Sequence, residues 1–98
     1  MDYQIDGRTI RTMDDFYDAF SQLGCAPEWV GRNKDALWDM LTGLLNGPVS
    51  LHWMDADVSA EAMGSDFDGL VALMREAEVD TASEPSQRFK LHLLGGVN

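Results

Sequence analysis

The sequence predicts an α/β fold in which a small three-stranded parallel sheet packs against about four helices. Three short apolar segments are typical of strands, and segments with helical periodicity separate them along the chain. Strands that alternate with helices favour right-handed crossovers, and therefore a parallel sheet covered by helices. At 98 residues, 45% of them hydrophobic, the chain suits one globular unit, so we expect residues 1–98 to form a single domain.

The three strands are predicted from short runs bounded by turn residues. Met1 to Ile5 shows the alternation of a strand and ends at the Asp6-Gly7 turn. Gly47-Pro48 leads into the second strand, Val49 to Trp53, and the third runs from Phe89 to Leu94. These three runs are the expected sheet.

Three of the helices are predicted from caps and apolar stripes. Thr12 caps the first helix, which ends at Gly24, and a brief helix is expected over Ser59 to Met63. Ser65 caps a longer helix, which a polar loop over Thr81 to Gln87 follows. The residues expected on the inner faces of the first and last of these helices are Phe16, Phe20, Leu23, Phe67, Leu70, Val71, Met74 and Ala77.

A further helix, over Lys34 to Thr42, carries the most unusual feature of the chain. Asn33 is a good N-cap for it, and an i, i+3, i+4, i+7 stripe of Leu37, Met40, Leu41 and Leu44 predicts its buried face.

On another face of this helix, Asp35 and Asp39 lie four residues apart. The helix dipole favours Asp35 in the first turn, whereas it disfavours Asp39 further along, as does the like charge one turn away. A local rule broken without local gain indicates function, although a solvated acidic face is the alternative.

The distribution of charge is equally uneven. The chain has 17 acidic and 7 basic side chains, a net charge of −10. Outside residues 35–84 the charges cancel, so the whole net charge lies within that segment, where Arg75 is the only base. Such a field repels nucleic acid and attracts cationic proteins, so we expect a protein partner and no nucleic acid.

Several classes of function lack support in the sequence. No apolar run approaches the length of a membrane span, and the N-terminus does not resemble a signal peptide, so we expect no membrane association. Cys25 is the only cysteine, which suits a cytoplasmic location. His52 and His92 have no companion ligands at metal-binding spacing, and no phosphate-cradling glycine loop is present, so neither a metal nor a cofactor is expected.

The residues around the acidic helix resemble the signature of the barstar family of intracellular ribonuclease inhibitors. The resemblance rests on Pro27-Glu28, Gly31, Asn33, Asp35-Ala36-Leu37-Trp38-Asp39 and Leu41-Thr42-Gly43. Ile5-Asp6-Gly7, Ile10-Arg11, Leu51-x-Trp53 and Arg75-Glu76-Ala77 also match, so the resemblance extends in order over roughly residues 3 to 94.

The resemblance implies an inhibitor whose acidic helix plugs the active site of a small, basic, extracellular ribonuclease of the barnase type, and we expect the free protein to be a monomer. It implies that Asp39 mimics a phosphate, with Asp35 beside it. The full set of partner-binding residues that it implies is Trp29, Gly31, Asn33, Asp35, Trp38, Asp39, Thr42, Gly43 and Glu76. The spacing alone favours a packing role for Trp38 and Trp53 and solvent exposure for Glu76. It favours turn or cap roles for Gly7, Gly24 and Gly43.

Arg32 and Lys34 depart from the family pattern, because they place positive charge within an otherwise anionic surface. We expect the cognate partner to carry an acidic spot that faces them. The connection over Thr81 to Arg88 is also longer than is usual in the family.

Two alternative functions remain open at this point. One is an enzyme in which Asp35 and Asp39 form an acid–base pair, although no His, Lys or metal set accompanies them in the sequence. The other is an immunity or adaptor protein of the same fold for a different basic partner or toxin.

Overall fold

The three predicted strands form one parallel sheet with the order β1–β2–β3. The computed structural model describes residues 1–23, 33–44 and 47–95. The strands are β1 (Asp2–Asp6), β2 (Val49–Met54) and β3 (Phe89–Leu93), and the register places Leu51 opposite both Tyr3 and Leu91. The helices are α1 (Met13–Ser21), α2 (Lys34–Asp39), α3 (Ala56–Met63) and α4 (Ser65–Thr81). The predicted fold class is therefore confirmed.

The sheet buries one of its faces in the core. Alternate residues of β2 are buried, including the fully buried Leu51 and Trp53, while His52 between them is only partly buried. On the other face, the rings of His52 and His92 stack with centroids 4.5 Å apart. The fully buried side chains that the helices bring to the core include Phe16, Phe20, Leu37, Leu70 and Met74. The predicted inner stripes of the helices thus meet the apolar face of the sheet.

Helix α1 begins as the sequence predicts. The Thr12 hydroxyl accepts a hydrogen bond from the backbone N–H of Asp15 at 3.1 Å, and the Asp15 carboxylate accepts one from the Arg11 N–H at 3.0 Å. The first bond satisfies an N–H group that the first turn of a helix leaves without a partner, and the second ties the residue before the cap to that turn. Leu23 packs partly buried beyond the helix end, and Gly24 lies outside the described residues.

Helix α3 starts at Ala56, three residues before the predicted start at Ser59. The cause is Asp55, which adopts a left-handed conformation (φ 51°, ψ 42°) directly after β2 and turns the chain at once into the helix. Ser59 is buried within α3, where its hydroxyl donates to the Gly7 carbonyl at 2.8 Å and accepts from Trp53 Nε1 at 3.1 Å.

Both ends of α4 also differ from prediction. Ser65 is not the cap, because Gly64 occupies the cap position with a φ of 60°. Val71 is partly rather than fully buried. At the other end, Thr81 belongs to the helix instead of opening the following loop, and that connection contains a short 3₁₀ turn, Pro85–Gln87.

Side chains of α4 form hydrogen bonds with backbone groups of β3 that point away from β2. The Thr81 hydroxyl accepts from the Phe89 N–H at 3.0 Å, and the Glu78 carboxylate accepts from the Leu91 N–H at 2.7 Å. Arg75 donates to the Leu91 carbonyl at 2.8 Å and pairs with Glu78 at 3.0 Å. At Phe89 and Leu91 the outward N–H groups of this edge are therefore satisfied by α4 rather than by another strand.

The turn after β1 packs tightly on the turn after β2. A Cβ placed on Gly7 would lie 2.3 Å from the Asp55 carbonyl oxygen, so only glycine fits there. The neighbouring Asp6 and Arg8 form a salt bridge at 3.2 Å, and hydrogen bonds from the Arg8 side chain and backbone lower the pKa of Asp6.

Candidate partner-binding surface

Helix α2 is fixed to the core on one side and exposed on the other. The Asn33 side chain caps the helix by accepting from the Ala36 N–H at 2.8 Å. Leu37, Met40 and Leu41 have no exposed surface, which confirms three of the four residues of the predicted stripe. The side chain of Leu44, the fourth, lies outside the described residues. The cap and the buried stripe together hold the backbone of α2 in place.

The two aspartates of α2 are exposed, as their spacing predicts. Among the described residues, none forms a hydrogen bond or an ion pair with the carboxylate of Asp35 or Asp39. Their lone pairs are therefore open to solvent, and nothing in the described part of the chain offsets the unfavourable position of Asp39.

The helix widens directly after Asp39. Residues Met40–Leu44 form a π-helical turn, whereas the sequence predicts a continuous α-helix as far as Thr42. The Thr42 hydroxyl donates to the Trp38 carbonyl at 2.8 Å, which leaves its lone pairs available to accept. Such π turns recur at functional sites, and this one lies beside the aspartates.

Gly43 lies inside this turn and is exposed. Its φ is not positive, and a Cβ placed on it would meet no atom of the described residues within 4 Å. The prediction that Gly43 serves as a turn or cap glycine is therefore wrong, because the fold itself would accept a side chain here. A glycine that the fold does not require is consistent with close approach by another molecule.

The other predicted site residues divide into three groups. Trp38 is half-buried and packs against the core, consistent with the packing interpretation. Glu76 is exposed on α4, and none of the described residues pairs with it. Trp29 and Gly31 lie outside the described residues, as does Arg32.

Glu76 lies on the side of α4 that faces α2. A Cβ on Gly69 would lie 2.8 Å from the ammonium nitrogen of Lys34, so Gly69 faces the first turn of α2. Glu76 is seven residues further along α4, about two turns, and so shares that side of the helix. We call the surface formed by the exposed Asp35, Asp39, Gly43 and Glu76 and the partly buried Thr42 the acidic surface.

Gly69 was not identified by the sequence reasoning. The available signal was an isolated glycine inside a helical pattern, which costs about 1 kcal/mol relative to alanine and calls for a packing or functional reason. At this position a Cβ would lie 2.8 Å from Lys34 Nζ, so the side chain of Lys34 would have to move for any larger residue.

The described residues contain no group of three or more His, Cys, Asp or Glu that could hold a metal ion. A cleft of about 340 Å³ lies at the ends of β1 and β2, and its lining includes Asp6 and Asp55 but neither aspartate of α2.

No helix in the described ranges combines the length and apolarity needed to cross a membrane.

Comparisons with known proteins identify the family to which this chain belongs. The family model described as Barstar (barnase inhibitor) matches residues 1–93. A protein of Bacillus subtilis (strain 168) named "Putative ribonuclease inhibitor YrdF" is 32% identical over 80 residues, which cover 82% of this chain and 88% of that protein. The three-stranded parallel sheet and the exposed acidic face of α2 agree with the predicted resemblance, and the chain belongs to the barstar family.

Proposed function

We propose that this protein inhibits a small, basic, extracellular ribonuclease of the barnase type by inserting the acidic surface into its active site. The observation that carries the proposal is Asp39, an exposed carboxylate without a partner among the described residues, on a helix held by fully buried side chains. Membership of the barstar family and the name of the Bacillus subtilis relative support the same role.

Asp39 acts as a phosphate mimic in this proposal. Ribonuclease active sites gather cationic side chains around a phosphate, and a carboxylate in that place accepts charge-assisted hydrogen bonds from them. Because the helix is already fixed, little conformational entropy is lost when its carboxylates are bound. Asp35 meets a second donor group beside the first.

The remaining residues of the proposed interface surround these two carboxylates. Thr42 and Gly43 offer a hydroxyl acceptor and an open backbone, Trp38 supports the helix from its half-buried position, and Glu76 adds an acid on α4. Asn33, Trp29 and Gly31 complete the proposed set. The protein acts as a cytoplasmic monomer, has no catalytic residue and needs no cofactor.

The test is inhibition of purified barnase by the wild-type protein, Asp39→Ala and Glu61→Ala. Glu61 is an exposed acid on α3, so its loss changes the net charge equally at a different place. We expect Asp39→Ala to weaken inhibition by at least about 30-fold, the minimum for a hot spot, and Glu61→Ala by less than about threefold.

Salt adds a second readout, since steering between opposite charges is screened. Raising NaCl from about 25 to 250 mM should slow association of the wild type and have less effect on its dissociation. Equal loss in the two alanine variants would contradict the phosphate-mimic role. No inhibition by the wild type would favour the alternative, an immunity or adaptor protein for another basic partner.

Gly43→Ala separates binding from folding. Because a Cβ at this position meets nothing within 4 Å, the variant should keep its stability or gain up to about 1 kcal/mol. Inhibition of barnase should nevertheless weaken if the partner approaches the Gly43 backbone closely. Unchanged inhibition would remove Gly43 from the interface.

A further inference from the structure

Lys34 is a cation at a position where the helix dipole disfavours positive charge. It occupies the first position of α2, where the positive end of the helix dipole repels an ammonium group. Its side chain is exposed, and none of the described residues forms a hydrogen bond or ion pair with it. Among the described residues, Lys34 therefore forms no direct ion pair even with Asp35, its neighbour in the chain.

The ammonium group lies against the backbone of α4 at Gly69. Among the described residues, a Cβ on Gly69 would meet only Lys34, at 2.8 Å from Nζ and 3.9 Å from Cε. Gly69 is the fifth residue of a 17-residue helix and its φ is not positive, so the backbone does not require glycine there. Two residues that each weaken their own helix thus contact one another where α2 meets α4.

This contact lies within the acidic surface. Asp35 follows Lys34 on α2, and Glu76 shares the side of α4 on which Gly69 faces Lys34. A partner that is uniformly positive over this surface gains from Asp35, Asp39 and Glu76 but is repelled by Lys34. A partner with a carboxylate at this one point avoids the repulsion and gains an ion pair.

We infer that Lys34, lying on the bare backbone of Gly69, is a specificity-determining residue that selects a basic ribonuclease with a carboxylate facing the contact between α2 and α4. The inference rests on the proposed function, since it concerns the same surface and the same class of partner. Discrimination through one repulsive charge is a common means of specificity between related complexes.

The first experiment measures association and dissociation of purified barnase with the wild type, Lys34→Met, Lys34→Glu and Lys90→Met. Lys90 is exposed on β3, so Lys90→Met makes the same change of net charge outside the acidic surface. Barnase variants in which single Lys or Arg residues around the active site are replaced by Glu form the second set of partners.

We expect Lys34→Met to bind unmodified barnase about threefold to tenfold more tightly at low salt, and Lys34→Glu more tightly still. Lys90→Met should change affinity by less than about twofold. For at least one charge-reversed barnase variant the order of affinities should invert, so that the wild-type protein binds this variant more tightly than Lys34→Glu does. The effects of the two substitutions on affinity should then differ from additivity by at least about threefold. Equal effects of Lys34→Met and Lys90→Met, or no inversion for any reversal, would overturn the inference.

Gly69→Ala tests whether glycine acts through Lys34. The added Cβ displaces the ammonium group, so affinity for barnase should shift by more than about twofold with Lys34 present and by less than that in Lys34→Met. Equal shifts in both backgrounds would contradict the contact. Asp39→Ala distinguishes failure of this inference from failure of the proposed function. Inhibition that depends on Asp39 but not on Lys34 would contradict only the inference about Lys34. The absence of inhibition by every variant would contradict the proposed function as well.

Discussion

The indole Nε1 of Trp53 donates a hydrogen bond to the hydroxyl of Ser59 at 3.1 Å, and both side chains are fully buried. The Ser59 hydroxyl in turn donates a hydrogen bond to the Gly7 carbonyl at 2.8 Å, so one hydroxyl links β2, α3 and the turn after β1. A buried indole N–H needs an acceptor, and this serine provides one.

Ser59→Ala should therefore destabilise the protein by about 1–3 kcal/mol, because it leaves the buried indole N–H of Trp53 without its acceptor, while the Gly7 carbonyl keeps only its bond from the Ile10 N–H at 3.3 Å. Urea unfolding measures the change. Ser83→Ala is the control, since Ser83 is exposed in the connection after α4, and its effect should stay within about 0.5 kcal/mol. A Ser59 variant as stable as the control would mean that water or another group satisfies Trp53.

Gly7→Ala should lower the free energy of unfolding by more than the addition of one methyl group usually does. The new Cβ would lie 2.3 Å from the Asp55 carbonyl oxygen and 2.5 Å from that of Met54, and both are backbone atoms that cannot rotate away. Overpacking of this kind costs about 1–3 kcal/mol or more in unfolding free energy. Gly95→Ala, where a Cβ meets nothing within 4 Å, should have little effect in the same thermal melts.

Thr81→Val should destabilise the junction of α4 and β3. Thr81 is 2% exposed, and its hydroxyl accepts from Phe89 N–H and donates to the Ala77 carbonyl. Valine keeps the shape but leaves the Phe89 N–H buried without an acceptor, at a cost of about 1–3 kcal/mol. Thr9→Val is the matched control, because the Thr9 hydroxyl also bonds a carbonyl but is exposed to water. Similar losses in denaturant for both variants would contradict this account.

The Asp6 carboxylate should titrate below its ordinary value. Its hydrogen bonds with the Arg8 side chain and backbone favour the charged form, so its pKa lies below 3.8. The stability that this pair contributes is present above the unfolded pKa and is lost as the pH falls through the folded pKa. Carboxyl-detected NMR should show the Asp6 pKa rising towards 3.8 in Arg8→Gln. An unchanged pKa in that variant would assign the shift to another group.

Much of the fold was predictable because local signals agree with tertiary packing. The caps at Thr12 and Asn33 and the buried stripes of α1 and α2 are read from spacing, since the same periodicity that forms each helix also aims it at the core. The acidic face of α2 was predictable for the same reason: it is the face that the stripe leaves exposed.

The differences arise where distant residues decide the local conformation. The left-handed Asp55 begins α3 early because it packs against Gly7, nearly fifty residues away in the chain. Thr81 is a poor helix former, yet it extends α4 because its hydroxyl meets Phe89. The contact of Gly69 with Lys34 likewise joins separate helices, and spacing within one helix gives no indication of it.

The capping of β3 by α4 also limits how copies of this protein can associate. With the N–H groups of Phe89 and Leu91 already bonded to Thr81 and Glu78, β3 has no free donors at these positions for an incoming strand. A filament requires each molecule to pair at both edges of its sheet, whereas β1 is the only other edge strand of the sheet in the described residues. Edge-to-edge pairing of two copies would therefore use β1 of each molecule, which closes the pair and leaves the donors of β3 at these two positions unavailable to a third copy.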